Sequence, residues 1–320
     1  MEHDERRVRP IGINPMSPIG QAVGGPSTEP LVYVDGEFVP QHEAKISVFD
    51  HGLLYGDGVF EGIRAYNRRI FKLERHVERM FRSAHAIQIE IPHTREEFAG
   101  LIKEACRRNA ITNGYLRPVV TRGPGDLGLD PRKCKQGPSI IIITVSWDTL
   151  YEKELYERGL RLVTAAVRRV PPQSLSPSIK SMNYLNQILA RIQGNESGAD
   201  EVLMLDMQGY VSEASADNVF IVREGKVLTP PTSTNLPGVT RETVLELCAE
   251  LGYPAQEQLF TLFEVYTADE CFITGTAAEI GPVSVVDGRK IGDGRPGKTT
   301  THLMKKYKEL VTTTGTPIYE

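Results

Sequence analysis

The sequence has few cysteines, a single tryptophan and no long apolar run. The cysteines are far apart and form no CxxC pair, which argues against a disulfide framework and against a zinc site; they are Cys106, Cys134, Cys248 and Cys271. No apolar stretch approaches the roughly 18 residues of a membrane helix, and acidic residues near the N-terminus predict no signal peptide. We therefore expect a cytoplasmic protein without a metal site.

Neither sign of charge dominates the chain. Lys and Arg number 37 against 41 Asp and Glu, so the net charge is -4 and the pI is near 6.0. This balance gives no electrostatic reason to expect binding to nucleic acid or to an anionic membrane. Hydrophobic residues make up 40% and charged residues 24% of the chain, as in a soluble globular protein.

The chain is long enough, at 320 residues, for two domains. Residues 1–30 are rich in Pro, Gly and Ser and are predicted to be a flexible N-terminal extension. We predict a small N-terminal domain at 31–147, an interdomain linker in the charged segment 148–158 and a larger domain at 159–320. Helical and strand patterns are mixed without a regular βαβ alternation, which predicts an α+β fold and disfavours a Rossmann sheet.

Local patterns predict several elements of the N-terminal half. The Asp35-Gly36 pair between two β-rich runs predicts a hairpin. Apolar residues at helical spacing over 73–87 predict an amphipathic helix, and Thr94 with Glu97 forms a capping box that opens another. Residues 115–121 and 140–145 are predicted strands, and the second is so rich in β-branched residues that we expect both of its faces to be buried.

One lysine stands where a Pro- and Ser-rich loop gives way to a helical pattern. After Lys180, four apolar residues recur at i, i+3, i+4 and i+7 and predict one buried helix face; they are Leu185, Ile188, Leu189 and Ile192. A lysine beside a helix N-terminus, if also desolvated, becomes available as a neutral amine, which a Schiff base with a carbonyl cofactor requires. The alternative is a surface lysine that ends a loop.

Other stretches suit anionic ligands, although each also has an ordinary structural explanation. The segment 236–240 and the turn 275–277 can present backbone N–H groups to phosphate, or can simply be turns and caps. Arg79 is a phosphate clamp or a solvated helix charge, and Glu213 faces a cation such as a pyridinium or lies on a strand edge. Tyr115 and Arg117 share one face of a strand, which suits carboxylate binding or a plain surface pair.

Taken together, six stretches resemble the class IV (fold-type IV) aminotransferases, which use pyridoxal 5′-phosphate, and most of all the branched-chain amino acid aminotransferases. The resemblance covers about residues 31–310 and is carried by residues 59–66, 115–118, 180–185, 209–213, 236–241 and 275–280. It implies an α+β enzyme with a small α/β N-terminal domain and a larger pseudo-barrel C-terminal domain. It also implies a homodimer, or a hexamer of dimers, in which a loop of the small domain completes the neighbour's site.

The resemblance also implies roles for individual residues. Lys180 would hold the cofactor as an internal aldimine and move the proton between substrate Cα and cofactor. The other cofactor-binding residues would be Tyr184 at the phenolic oxygen, Glu213 at the pyridine nitrogen, Leu236 at the ring face, and Arg79, Val239, Thr240 and Thr276 at the phosphate. The substrate-binding residues would be Tyr55, Phe60, Tyr115, Arg117, Thr276 and Ala277, with Arg117 receiving the distal carboxylate of glutamate.

We therefore predict reversible, ping-pong amino transfer between L-leucine, L-isoleucine or L-valine and 2-oxoglutarate. Two departures keep alternatives open. The spacing from Lys180 to Tyr184 is one residue shorter than in familiar branched-chain enzymes, and the stretch 56–58 is shared with the D-amino acid branch. The alternatives are a D-amino acid transaminase, an aminodeoxychorismate lyase, or a catalytically silent relative that serves as a binding protein.

Overall fold

Two large hydrophobic cores organise the chain in the computed structural model, which describes residues 29–319. One compact unit, here called the lysine unit, contains residues 29–148, Pro177–Tyr184 and residues 307–319. The other, here called the turn unit, contains Thr149–Ser176 and Leu185–Lys306. Of the predicted N-terminal extension, residues 1–28 lie outside the described residues. Strands β1–β17 and helices α1–α8 are numbered in chain order.

The lysine unit contains an eight-stranded antiparallel sheet. Its strands are β1 (Leu31–Val34), β2 (Glu37–Pro40), β3 (Gly58–Phe60), β4 (Ile63–Tyr66), β5 (Arg69–Ile70), β6 (Gly114–Thr121), β7 (Ile140–Ser146) and β17 (Thr316–Pro317). They run in the order β17-β5-β4-β6-β7-β1-β2, and β3 pairs with β6. The helices of this unit are α1 (His51–Tyr55), α2 (Leu73–Ala86) and α3 (Arg95–Arg108).

Most of the local predictions for the lysine unit are confirmed. β1 and β2 form the predicted hairpin, and the turn residues Asp35 and Gly36 both have positive φ. Both amphipathic helices are present, and α3 opens with the predicted capping box of Thr94 and Glu97. The prediction that both faces of the second strand are buried is wrong, because β7 alternates between buried and half-buried residues. Only one face of this strand meets the core that α2 and α3 cover.

The turn unit contains a nine-stranded sheet. Its strands are β8 (Leu160–Thr164), β9 (Glu201–Leu205), β10 (Val211–Ala214), β11 (Asn218–Arg223), β12 (Lys226–Thr229), β13 (Ala255–Glu257), β14 (Glu270–Gly275), β15 (Glu279–Val286) and β16 (Arg289–Lys290). They run in the order β10-β9-β8-β15-β14-β11-β12-β13, and β16 pairs with β15. β8 is parallel to both of its neighbours and β12 is parallel to β13, whereas the other pairs are antiparallel.

Five helices accompany this sheet: α4 (Lys153–Arg158), α5 (Leu185–Glu196), α6 (Val239–Leu251), α7 (Leu262–Tyr266) and α8 (Lys298–Thr313), the last of which continues into the lysine unit. α4 lies in the second half of the segment 148–158, for which the sequence predicts a linker. Leu155 is buried in the core of the turn unit, so this segment is folded. Among residues 29–319, no helix is long and apolar enough to span a membrane.

Helix α5 differs from its prediction in the face that it buries. The four apolar residues at i, i+3, i+4 and i+7 are exposed, from 45% for Leu189 to 66% for Leu185. The buried positions are Gln187, Ala190 and Gly194, and a Cβ at Gly194 would lie 2.4 Å from Val202 on β9. The helix therefore packs closely on β9 through small residues, and no part of residues 29–319 covers its apolar face.

Candidate active site

Lys180 is held by strand-like contacts rather than by a helix terminus. Its carbonyl accepts a hydrogen bond from the backbone N–H of Phe60 at 3.1 Å, and its own N–H donates to Ser83 Oγ of α2 at 3.1 Å. The next residue, Ser181, forms a β-bridge with Val59. Helix α5 begins at Leu185, five residues later, so the predicted position beside a helix N-terminus is wrong. The loop instead lies along β3, which fixes the lysine backbone.

The Lys180 side chain lies between two aromatic rings. Its Nζ donates to the Tyr184 hydroxyl at 3.1 Å and lies 4.8 Å from the centroid of the Phe60 ring. The rings of Phe60 and Tyr184 meet edge to face, with centroids 5.0 Å apart. A primary amine is thus presented at an apolar surface beside a hydroxyl group, which is the environment expected of an amine that reacts with carbonyl compounds.

A guanidinium group packs on the same aromatic ring. The Cζ atom of Arg117 lies 4.6 Å from the centroid of Phe60, and Nη2 donates to the Tyr115 hydroxyl at 2.7 Å. Within the described residues, the buried Nε of Arg117 has no hydrogen-bond partner. A buried N–H without a partner is costly, and the half-buried guanidinium of Arg117 suits a carboxylate.

Gly62 makes the position of Tyr115 possible. A Cβ at Gly62 would lie 2.1 Å from the Tyr115 hydroxyl oxygen, far inside van der Waals contact. Gly62 immediately precedes β4, which pairs with β6, and the absence of a side chain leaves room for the phenol. Gly62 therefore allows the Tyr115 hydroxyl to accept its hydrogen bond from Arg117, although sequence reasoning assigned Gly62 no role.

Arg79 belongs to a buried ionic cluster. Its Nε and Nη2 donate to the two carboxylate oxygens of Glu61, each at 2.7 Å. His76 Nδ1 lies 2.8 Å from Oε2 of the same carboxylate. Burial by itself would raise the pKa of Glu61, but the adjacent Arg79 and His76 outweigh it and hold this pKa well below its usual range. Burial lowers the pKa of His76, so the imidazole is neutral at physiological pH.

In the turn unit, Glu213 is a buried carboxylate on β10 with two partners. Its Oε1 accepts from Arg169 Nε at 2.6 Å, and its Oε2 accepts from the backbone N–H of Leu236 at 3.0 Å. Arg169 and Glu213 are both more than 90% buried. The two contacts hold the carboxylate in one orientation.

The two predicted anion-binding turns belong to the same unit as this carboxylate, and the first of them contacts it. The turn at 236–238 leads into α6, whose N-cap Gly238 provides no side-chain cap, so Val239 and Thr240 present N–H groups of an uncapped helix N-terminus. Thr276 and Ala277 stand in the turn between β14 and β15. Asn218 links the two turns: its Nδ2 donates to the Leu236 carbonyl at 2.9 Å, and its backbone pairs with Thr274.

Tyr55 does not contact the residues around Lys180 in any interaction that the structure shows. Its hydroxyl donates to the carbonyl of Leu127 at 2.6 Å, and its ring meets His51 edge to face at 5.0 Å. It ends helix α1 on the lysine unit. The predicted contribution of Tyr55 to a substrate pocket stays a prediction.

The predicted site residues thus form two groups, one in each unit. The lysine unit brings together Lys180, Tyr184, Phe60, Tyr115 and Arg117, with Arg79 on the neighbouring helix α2. The turn unit brings together Glu213, Leu236, Val239, Thr240, Thr276 and Ala277. Sequence reasoning missed the buried partners Glu61, His76, Arg169 and Asn218, since no local spacing signals a pairing between distant residues.

The comparisons with known proteins agree with this arrangement. Residues 58–286 match the family described as amino-transferase class IV. A protein of Methanocaldococcus jannaschii is 48% identical over 290 residues, which cover 90% of this chain and 99% of the relative. The branched-chain-amino-acid aminotransferase of Pseudomonas aeruginosa PAO1 is 41% identical, with coverage of 88% and 92%. The crystal structure of the T.th. branched-chain amino acid aminotransferase with pyridoxamine 5′-phosphate has a TM-score of 0.85 at 40% identity, with coverage of 89% and 95%.

These matches confirm the predicted family and the fold-type IV architecture. The relatives with branched-chain names favour the branched-chain prediction over the D-amino acid and lyase alternatives. The match covers most of the chain, and it includes the Lys180 loop, Glu213 and both turns. The chain therefore belongs to the class IV aminotransferases.

Proposed function

We propose that this chain catalyses reversible amino transfer between branched-chain L-amino acids and 2-oxoglutarate, with pyridoxal 5′-phosphate as the cofactor. The structurally similar T.th. enzyme was crystallised with N-(5′-phosphopyridoxyl)-L-glutamate and with 4-methylvaleric acid, a dicarboxylic and a branched aliphatic compound. A single site that serves both classes needs an apolar surface and a cation. In this chain, Phe60 and Arg117 are in contact and supply both.

The proposal rests on one observation: the amine of Lys180 and the guanidinium group of Arg117 both lie close to the Phe60 ring. Lys180 Nζ and Arg117 Cζ lie 4.8 Å and 4.6 Å from the Phe60 centroid. An amino acid whose α-carbon is near Lys180 then extends its side chain over Phe60. An aliphatic side chain is stabilised by the ring, and the γ-carboxylate of glutamate binds the half-buried guanidinium of Arg117.

The residues present also fit the cofactor. Pyridoxal 5′-phosphate supplies an aldehyde that condenses with amines and a protonated ring that withdraws electrons from the substrate Cα. We propose that Lys180 would hold its C4′, Tyr184 its phenolic oxygen, and the buried carboxylate of Glu213 its pyridine nitrogen. The 5′-phosphate would be held by Arg79 and by the uncapped N-terminus of α6 at Val239 and Thr240, together with Thr276; Leu236 would pack on the ring.

In the reaction, we propose that Lys180 Nζ, released from C4′ by the incoming substrate amine, would take the proton from the substrate Cα and return it at cofactor C4′. The Tyr184 hydroxyl, at 3.1 Å from Nζ, restrains the amine and can exchange a proton with it. The N–H groups of Thr276 and Ala277 would bind the substrate α-carboxylate. Arg169 and the Leu236 N–H hold the Glu213 carboxylate in a fixed orientation.

We further propose that the chain acts in the cytoplasm as a homodimer or as an assembly of dimers. The apolar face of α5 supports self-association, because four neighbouring aliphatic side chains are about half exposed. Tyr55, which contacts only its own subunit's Leu127 and His51 in the interactions that the structure shows, would contribute to the neighbour's substrate pocket. The absence of any disulfide among the four free cysteines supports a reducing compartment.

The function is tested by following the cofactor absorbance while single amino donors are added. L-leucine and L-glutamate should each convert the aldehyde form to the amine form, and 2-oxoglutarate should reverse the change. Turnover of D-alanine without turnover of L-leucine would refute the branched-chain proposal. Lys180→Ala should abolish the conversion while leaving the protein folded.

The role of Arg117 is tested separately with Arg117→Met, which keeps the apolar part of the side chain. Loss of a charge-assisted hydrogen bond of about 1.5–3 kcal/mol predicts a fall of roughly 10- to 100-fold in kcat/KM for L-glutamate. The value for L-leucine should change little. Arg108→Met, on the exposed surface of α3, is the matched control. Equal losses for both substrates would contradict the role of Arg117 as the receptor for the distal carboxylate.

Self-association through α5 is tested by sedimentation velocity. Leu189→Glu places a charge in the exposed apolar face and should lower the sedimentation coefficient, whereas Asn195→Glu on the same helix should not. An unchanged coefficient for both variants would show that α5 takes no part in the assembly.

A further inference from the structure

Glu61 is the buried partner that fixes the guanidinium of Arg79. One carboxylate accepts two parallel hydrogen bonds from Arg79, each 2.7 Å long, and a third contact from His76 at 2.8 Å. The side chain of Glu61 is 0% exposed and that of Arg79 is 11% exposed. His76 and Arg79 are three residues apart on α2 and therefore lie on the same side of the helix.

The backbone that carries Glu61 is itself fixed. Its N–H donates to the Pro118 carbonyl at 2.9 Å, and the preceding Phe60 pairs with Val119 on β6 and with the Lys180 carbonyl. The carboxylate thus projects from the same strand segment that aligns Lys180. A displacement of Glu61 relative to Lys180 would have to break these contacts.

The charges in the cluster balance. Glu61 is ionised because Arg79 and His76 hold its pKa low despite burial, and burial lowers the pKa of His76 and keeps it neutral. The cluster therefore consists of one anion, one cation and one neutral donor. A buried carboxylate that bonds an arginine through both oxygens leaves the plane of the guanidinium little freedom.

We propose that Glu61 is the positioning residue that aims Arg79 at the 5′-phosphate of the cofactor, an inference that rests on the proposed phosphate-binding role of Arg79. A mobile arginine side chain must lose rotational freedom when it binds an anion. Glu61 removes that freedom before the ligand arrives, so the guanidinium of Arg79 already has its direction. The same link couples the orientation of the phosphate clamp to the strand segment that holds Lys180.

The negative charge of Glu61 has an opposing effect, because it repels a phosphate dianion. If orientation is the larger effect, removal of the charge weakens phosphate binding; if repulsion is the larger effect, removal strengthens it. The proposal commits to the first outcome. The direction of the change therefore decides between the two.

The test compares the binding of pyridoxal 5′-phosphate with that of pyridoxal, which lacks the phosphate, to the full-length protein freed of cofactor. Dissociation constants are measured by equilibrium dialysis for wild type, Glu61→Gln, Arg79→Lys and the double variant. Glu78→Gln, at an exposed ion pair of the same helix, is the matched control. The ratio of the two constants reports the phosphate contribution, and a general loss of structure would weaken both ligands alike.

Glu61→Gln should reduce the preference for the phosphorylated ligand by about tenfold or more, the size of one charge-assisted hydrogen bond, without a comparable change for pyridoxal. In the Arg79→Lys background the same substitution should change the ratio by less than about twofold, because Glu61 acts through Arg79. An unchanged ratio in Glu61→Gln with a reduced ratio in Arg79→Lys overturns the positioning role alone. A ratio unchanged in Arg79→Lys overturns the phosphate-binding role of Arg79 and this inference with it.

Tighter binding of the phosphate by Glu61→Gln would also overturn the inference, since repulsion would then be the main effect. If Glu61→Gln does not fold, Glu61→Asp provides the second variant. Aspartate retains the negative charge, but its side chain is shorter by one methylene group, so its carboxylate can no longer accept both hydrogen bonds from Arg79. It should reduce the ratio as well, and retention of the wild-type ratio would refute the requirement for orientation.

Discussion

Replacement of Gly62 by alanine tests whether the arrangement of Tyr115 and Arg117 depends on the missing side chain. The backbone of Gly62 does not have positive φ, so alanine introduces no backbone strain and the effect is steric. The new Cβ would lie 2.1 Å from the Tyr115 hydroxyl oxygen and 2.9 Å from Cζ. Ordinary contact begins at 3.4 Å, so the phenol must retreat by about 1 Å or more.

Tyr115 has little space in which to retreat. It is 8% exposed on a central strand, and its ring packs edge to face against Trp147, with centroids 5.6 Å apart. Overpacking of this kind costs about 1–3 kcal/mol in the free energy of unfolding. Movement of the phenol also breaks the 2.7 Å hydrogen bond from Arg117. We expect a lower melting temperature and a fall of about tenfold in kcat/KM for L-glutamate, the size of one charge-assisted hydrogen bond.

Two further variants isolate the cause. Gly100→Ala, on α3 with no atom within 4 Å of the added Cβ, should leave activity unchanged and should not lower the melting temperature. Adding Tyr115→Phe to Gly62→Ala removes the closest clashing atom. The double variant should regain part of the lost melting temperature but none of the lost glutamate activity. If Gly62→Ala melts and reacts with L-glutamate as wild type does, the steric explanation is incorrect.

Three other outcomes follow from the buried groups. Burial lowers the pKa of His76 below its usual 6.5, so below about pH 6.5 the unfolded chain binds a proton that the folded chain does not. From this group, the free energy of unfolding should fall towards pH 5 by at most about 1.4 kcal/mol per pH unit. The melting temperature of His76→Asn should therefore change less with pH than that of wild type. Gly275→Ala would place a Cβ 1.7 Å from Asp217 Oδ1, so chemical denaturation should show lower stability and dialysis should show weaker cofactor retention. Arg169→Met leaves the Glu213 carboxylate buried without its cation. Denaturant titrations should show a free energy of unfolding lower by about 3–5 kcal/mol. A loss below about 1 kcal/mol would show that the ion pair with Arg169 does not stabilise the buried Glu213.

The local elements were largely predictable because their causes are local. A hairpin follows from the positive φ that Asp35 and Gly36 adopt, and a helix start follows from the capping box of Thr94 and Glu97. The partners of the site residues could not be predicted in the same way. Glu61 and Arg79 are 18 residues apart and Arg169 and Glu213 are 44 apart, so their pairing depends on how strands and helices pack. The family resemblance supplied the ligand-facing residues, whereas the buried groups behind them emerged only from the structure.

Helix α5 shows the physical limit of periodicity. Its apolar residues at i, i+3, i+4 and i+7 predict a hydrophobic helix face, but the spacing does not indicate which surface packs against that face. Among residues 29–319, α5 packs on β9 through Ala190 and Gly194, because small residues allow close approach, and the aliphatic face remains exposed. A hydrophobic face that is buried by another part of the same chain and one that is buried by a second chain have the same sequence signature. The sedimentation of Leu189→Glu therefore distinguishes an interface with another subunit from an apolar face that takes no part in assembly.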